Sequence, residues 1–146
     1  MAVTIKPITL WRIEVQDRPG ALARILEPLA AAKADLQVVM GYKVPNDKTR
    51  AVLELWPVSG RQLTRAAEKA GLAPSDIPTL LVTGDNRPAL GHAIARALAD
   101  ASINLNFLVT QVLGRRYSAV LGFETEADAR QAAGLIKKAT APRKKS

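Results

Sequence analysis

Two stretches of this 146-residue chain carry the same strand, turn and helix signature 69 residues apart, from Pro19 to Pro88. The first reads Trp11-Arg12-Ile13-Glu14-Val15-Gln16-Asp17-Arg18-Pro19-Gly20-Ala21-Leu22. The second reads Leu80-Leu81-Val82-Thr83-Gly84-Asp85-Asn86-Arg87-Pro88-Ala89-Leu90-Gly91. With the prolines aligned, Ile25 falls on Ile94, Leu29 on Leu98, Asp35 on Asn104 and Leu36 on Leu105. A register that survives an ungapped helix marks a repeated supersecondary unit. Its period exceeds that of most solenoid repeats and suits two small domains.

Within the first repeat, Trp11, Ile13 and Val15 alternate with Arg12, Glu14 and Gln16, which predicts a half-buried strand over 8–15. Pro19 fits the first helical position, where its missing N–H costs nothing. Asp17 lies just upstream, placed to cap the free N–H groups. Leu22, Ile25, Leu26 and Leu29 give an apolar helical face to about residue 33, with a kink expected at Pro28. A second strand follows over 36–42. Pro45, Asn46 and Asp47 are hairpin-turn residues, and 51–56 is the returning strand. A helix over 59–70 ends at Gly71 as its C′ residue, and 73–76 reads as linker.

The second repeat keeps this order: a strand over 79–83, Asp85 or Asn86 as cap, and a helix from Pro88 with Ile94, Ala97, Leu98 and Ala101 buried. An alternating strand then carries Leu105, Phe107 and Val109, Gly114-Arg115 turns the hairpin, 117–123 returns, and 126–138 is the last helix. Each unit is therefore β-α-β-β-α. A fourth strand would complete a ferredoxin-like sandwich. It is either absent, or residues 1–7 supply an edge for one unit.

Composition narrows the chemistry. At 48% hydrophobic and 4% aromatic, the core is aliphatic. With no cysteine there are no disulfides or thiolate metal sites. A single histidine, His92, leaves no residue set for a histidine metal centre or a Ser-His-Asp triad. Neither a signal peptide nor a run of ~20 apolar residues is present, so the expected location is cytoplasmic. The net charge of +8 suggests polyanions, but Lys137, Lys138, Arg143, Lys144 and Lys145 carry much of it. Removing those five lowers the charge to an ordinary +3, so a solvated basic tail explains the excess.

Strand, Asp17-Arg18-Pro19-Gly20-Ala21-Leu22, helix, then a strand opening with Asp35 before Leu36, resembles the ACT domain. The resemblance covers almost the whole chain as two tandem copies. The second copy departs at Ala89, where the family pattern has glycine, and regains it at Ile103-Asn104-Leu105. The resemblance implies an α+β fold of two ferredoxin-like βαββαβ repeats. It implies that they pair into one extended antiparallel sheet with helices on one face. The expected domains are 8–72 and 78–139, with a basic tail at 140–146.

ACT domains are regulatory modules that bind amino acids, as in aspartokinase and phosphoglycerate dehydrogenase, with the effector against the strand-to-helix turn. By resemblance, this chain is a sensor or regulatory protein that binds a small amino acid. It has no catalytic domain, metal or cofactor, and it acts through a homodimer or a partner enzyme. The candidate ligand residues are Asp17, Arg18, Pro19, Gly20, Ala21, Leu22 and Asp35 in the first unit, and Asp85, Asn86, Arg87 and Asn104 in the second. A helix start favours a carboxylate, and Asp17 suits an α-ammonium. Capping alone also accounts for the Asp17 turn, and does so more readily for the decayed turn at Asn86. Two alternatives remain open: a dimerisation adaptor that binds no ligand, or a weak RNA-binding module of similar topology, with Tyr117 and Phe123 as its stacking aromatics.

Overall fold

A computed structural model describes residues 3–142. The chain divides into two compact units. One spans Thr9–Asp76; the other takes the chain from Ile77 onward together with the N-terminal segment up to Ile8. The second unit thus draws on segments from both sides of the first. Arg143, Lys144 and Lys145 of the expected tail lie outside the described residues. Lys137 and Lys138 sit in the last turn of a helix, not in a tail.

The predicted strand over 8–15 is two strands. β1 (Thr4–Ile8) ends before Thr9, and β2 (Trp11–Gln16) starts after Leu10. β1 joins the second unit, while β2 opens the first. In the first unit β2 is followed by α1 (Ala21–Ala31), β3 (Val38–Val44), β4 (Asp47–Trp56), α2 (Arg61–Lys69) and the two-residue β5 (Ala73–Pro74). The expected linker thus supplies the fourth strand, pairing Ala73 and Pro74 with Arg12 and Trp11. The second unit comprises β6 (Thr79–Asp85), α3 (Leu90–Asp100), β7 (Leu105–Leu113), β8 (Arg116–Phe123) and α4 (Glu126–Ala139).

The strand orders are β3-β4-β2-β5 and β1-β6-β8-β7, all antiparallel. These are the same ferredoxin-like order. In the second unit the fourth position, beside β6, is taken by β1 from the opposite end of the chain. The expected βαββαβ arrangement is met in two four-stranded sheets, one per unit.

Alternation along the strands explains the cores. Trp11, Leu53 and Leu55 on one sheet face pack with Ile25 and Leu29 of α1, Ala67 of α2, and Leu72. In the second unit Leu80, Val82, Tyr117, Leu121 and Phe123 meet Leu90, Ile94 and Leu98 of α3 and Ala129, Ala132 and Ile136 of α4. Burying these aliphatic and aromatic groups is the main favourable term in each unit. Both hairpins turn in two residues, Pro45-Asn46 and Gly114-Arg115, with Asn46 and Gly114 at positive φ. Gly71, at φ +96, closes α2 as expected. Among the described residues, no helix is long and apolar enough to cross a membrane.

Candidate ligand site at the Arg18–Ala21 turn

The turn after β2 differs from a proline-started helix. Ala21 N–H donates to the Arg18 carbonyl at 3.2 Å, and Gly20 lies at φ 87, ψ −11. That is a type II turn, with Pro19 at its second position and glycine where a positive φ is required. The helix begins only at Ala21, and no side chain caps it. Pro19 therefore lies outside α1, and Asp17 is not its cap. The second repeat behaves alike. Leu90 N–H reaches the Arg87 carbonyl at 3.4 Å, Ala89 takes φ 66, and no side chain caps α3. Pro88, Asp85 and Asn86 do not play the roles expected of them at that helix start.

With no helix end to cap, the Asp17 carboxylate turns elsewhere. Its Oδ2 lies 3.2 Å from Nζ of Lys43, near the end of β3, and its backbone N–H donates to the Thr49 carbonyl at 2.8 Å. Beside this pair is a cavity of ≈ 270 Å³. Asp17, Arg18, Ala21 and Leu22 line it from the turn, Val15 and Gln16 from β2, Gly41, Tyr42 and Lys43 from β3, and Ala51, Val52 and Leu53 from β4. The first turn of α1 leaves the N–H groups of Leu22 and Ala23 without intrahelical acceptors. The site thus combines an anion, a cation, free helix N–H groups and apolar walls.

Of the expected residues, the structure brings Asp17, Arg18, Ala21 and Leu22 onto this one cavity, and Pro19 and Gly20 shape its turn. Asp35 and Asn104 are exposed ahead of β3 and β7 and do not line it. Asp85 is paired with Arg116 at 2.9 Å, and Asn86 N–H donates to the Arg115 carbonyl. Arg87 lines a separate ≈ 300 Å³ cavity with Pro88, Ala89, Ala93, Ala139 and Ala141. His92 is exposed. Lys43, Gly41 and Ala51 extend the lining beyond the residues to which the turn motif points. The signal for them was the Pro45-Asn46 hairpin, which sets Lys43 opposite Ala51, itself opposite Val15.

A second ionisable cluster lies on the other face of the first unit's sheet. Glu54 is fully buried, Arg12 Nε stands 3.7 Å from its Oε1, and Tyr42 belongs to the same cluster. Burial raises the Glu54 pKa, against the opposing pull of Arg12. Burial, then the Glu54 charge, also raises that of Tyr42. Among the described residues, no group of His, Cys, Asp and Glu could hold a metal ion. Tyr117 and Phe123 are both buried in the core and offer no face for stacking a base.

No protein-family model and no curated protein sequence matches the chain. Solved structures do. Protein BT0572 from Bacteroides thetaiotaomicron superposes with a TM-score of 0.72 at 11% identity, over 89% of this chain and 88% of that one. The regulatory subunit of aspartate kinase from Thermus thermophilus, in its ligand-free form, gives 0.62 at 15% identity, over 97% and 98%. A structure of aspartokinase alpha and beta subunits gives 0.60 at 18% identity, over 95% and 97%. The chain has the tandem ACT fold. At these identities the likeness is one of fold. The tandem ACT arrangement accounts for the whole described chain, with β1 and β5 completing the two sandwiches.

Proposed function

We propose that this protein is a non-catalytic regulatory module that binds a small amino acid at the Arg18–Ala21 turn. The observation that carries the reading is the Asp17–Lys43 pair lining a largely apolar cavity. A zwitterion matches it. The ligand's ammonium faces Asp17, its carboxylate faces Lys43 and the free N–H groups of α1, and its side chain enters between Val15, Leu22 and Leu53. The likeness to a regulatory subunit of aspartate kinase supports a regulatory role. That role works through a change in self-association or through a partner enzyme.

A thermal-shift screen of the twenty amino acids, followed by calorimetry, tests this. Asp17→Asn removes one charge-assisted contact worth ~1.5–3 kcal/mol and should weaken binding about tenfold to a hundredfold. Lys43→Gln should act similarly, and Asn86→Ala should change little. If no amino acid stabilises the parent, the site reading fails.

A dimerisation adaptor is the second reading, and β7 favours it. This sheet edge carries no charge from Leu105 to Leu113 and exposes Leu108, Val109, Val112 and Leu113. Such an edge is a template for pairing with another strand.

A further inference from the structure

On the helix side of the first unit, α1 and α2 leave a groove of ≈ 530 Å³ between them. Pro28, Ala31 and Ala66 form its floor, and Arg61, Arg65 and Lys69 line it from α2. These three cations recur every four residues, so they form one stripe along the helix. All three are exposed, and none is in an ion pair among the described residues. Arg61 stands in the first turn of α2, which holds no acidic residue. A cation there opposes the helix dipole and weakens the helix that carries it. The counterpart α4 follows the favourable pattern, with Glu126 and Asp128 in its first turn and Lys137 and Lys138 in its last. Counted from the N-caps Gly60 and Thr125, the stripe of the first unit corresponds to Glu126, Arg130 and Gly134, which is no stripe. The helix dipole accounts for Lys69 in the last turn, but not for Arg61 in the first, nor for like charges set four residues apart.

We infer that this groove docks an acidic amphipathic helix of a partner protein. The methyl and proline floor offers surface to small aliphatic side chains, and the cations along it offer counter-charges to carboxylates at matching spacing. Single-stranded nucleic acid is a poorer occupant, because the groove presents no aromatic ring on which a base could stack. The inference stands apart from ligand binding at Asp17, since the two cavities share no residue.

The test uses the full-length protein and a fluorescently labelled, helix-stabilised synthetic peptide. The peptide carries glutamates at i, i+4 and i+8 beside a face of Ala and Leu. Controls are the same peptide with glutamines and a uridine oligoribonucleotide. Anisotropy should show binding of the glutamate peptide that the glutamine version loses by about tenfold, given the modest strength of each exposed pair. Arg61→Glu/Arg65→Glu should abolish binding, Arg130→Glu on α4 should leave it unchanged, and Ala66→Leu should weaken it by filling the floor. A lysine version of the peptide should bind the Arg61→Glu/Arg65→Glu protein, which also shows that variant to be folded. Equal binding of the glutamate and glutamine peptides, indifference to Arg61→Glu/Arg65→Glu, or tighter binding of the oligoribonucleotide at the same residues would each overturn the inference.

Discussion

At the end of each unit's first strand the chain makes the same turn, yet the residues beneath it differ. In the first unit Val15 pairs with Ala51; in the second the equivalent pair is Gly84 and Tyr117. Ala51 leaves the cavity open, whereas Tyr117 is buried and belongs to the core. A Cβ built on Gly91, which stands where the first unit has Leu22, would lie 3.7 Å from the Tyr117 hydroxyl. One phenol thus takes the room that the first unit leaves open as a cavity. The charges change as well. Lys43 is replaced by Val112, opposite Tyr117, and Asp17 by Asn86. The backbone is the same in both units, and these side chains go with the difference in what lines the cavity at each turn: strands β2, β3 and β4 in the first unit, Ala139 and Ala141 in the second.

The strongest way to break this comparison is to remove the phenol. Tyr117→Ala should lower stability by about 3–5 kcal/mol, as truncation of a buried aromatic does. Urea denaturation measures it. A loss below about 1 kcal/mol would mean that Tyr117 does not fill the second unit. The reverse exchange, Ala51→Tyr, should abolish any amino-acid-induced thermal shift at the first turn.

The opposite sheet faces supply a second contrast. Arg12, Glu54 and Met40 stand in register in the first unit, and the second unit has Leu81, Val120 and Val109 in their place. An apolar set satisfies such a position without desolvating a charge. Arg12→Leu/Glu54→Val should therefore leave the protein as stable or up to about 4 kcal/mol more stable at neutral pH. The sign with pH follows from the raised Glu54 pKa. The folded state holds that proton to higher pH than the unfolded chain does. The parent is thus spared the buried charge below the ordinary glutamate value and loses stability as pH rises through the raised one. The double variant should lack that decline. A parent whose decline persists unchanged in the variant would place the titrating group elsewhere.

The repeat was legible because alternation and helical periodicity act on every residue of an element, so Trp11-Ile13-Val15 and Ile25-Leu29 announce themselves. The fourth strands were less so. β5 is two residues long and contains Pro74, and no local pattern says that β1 pairs with β6, where Ile5 meets Val82, 77 residues on. At the site, Asp17 and Leu22 were visible from the turn. Lys43 was not, because its role depends on hairpin register, and a lone lysine before a turn looks like any solvated charge. The caps differ from expectation for a related reason. Asp before Arg-Pro satisfies the composition of an N-cap, but the type II turn moves the helix start beyond the reach of Asp17.

The smallest effect sharpens the comparison at the turn itself. Gly20 and Ala89 both take left-handed φ, 87° and 66°. A Cβ in that region costs about 1–2 kcal/mol, which glycine avoids. Glycine in turn leaves the unfolded chain freer, which offsets about 0.4–1 kcal/mol. Ala89→Gly should therefore stabilise the protein by roughly 0.5–1 kcal/mol, and Gly20→Ala should destabilise it by a similar amount. A Cβ on Gly20 would meet nothing within 4 Å, so that substitution tests the backbone without a steric clash. Paired denaturation curves on the two variants read the difference directly. If Ala89→Gly destabilises instead, the second turn does not hold its alanine left-handed, and the backbone equivalence of the two repeats fails where it is most specific.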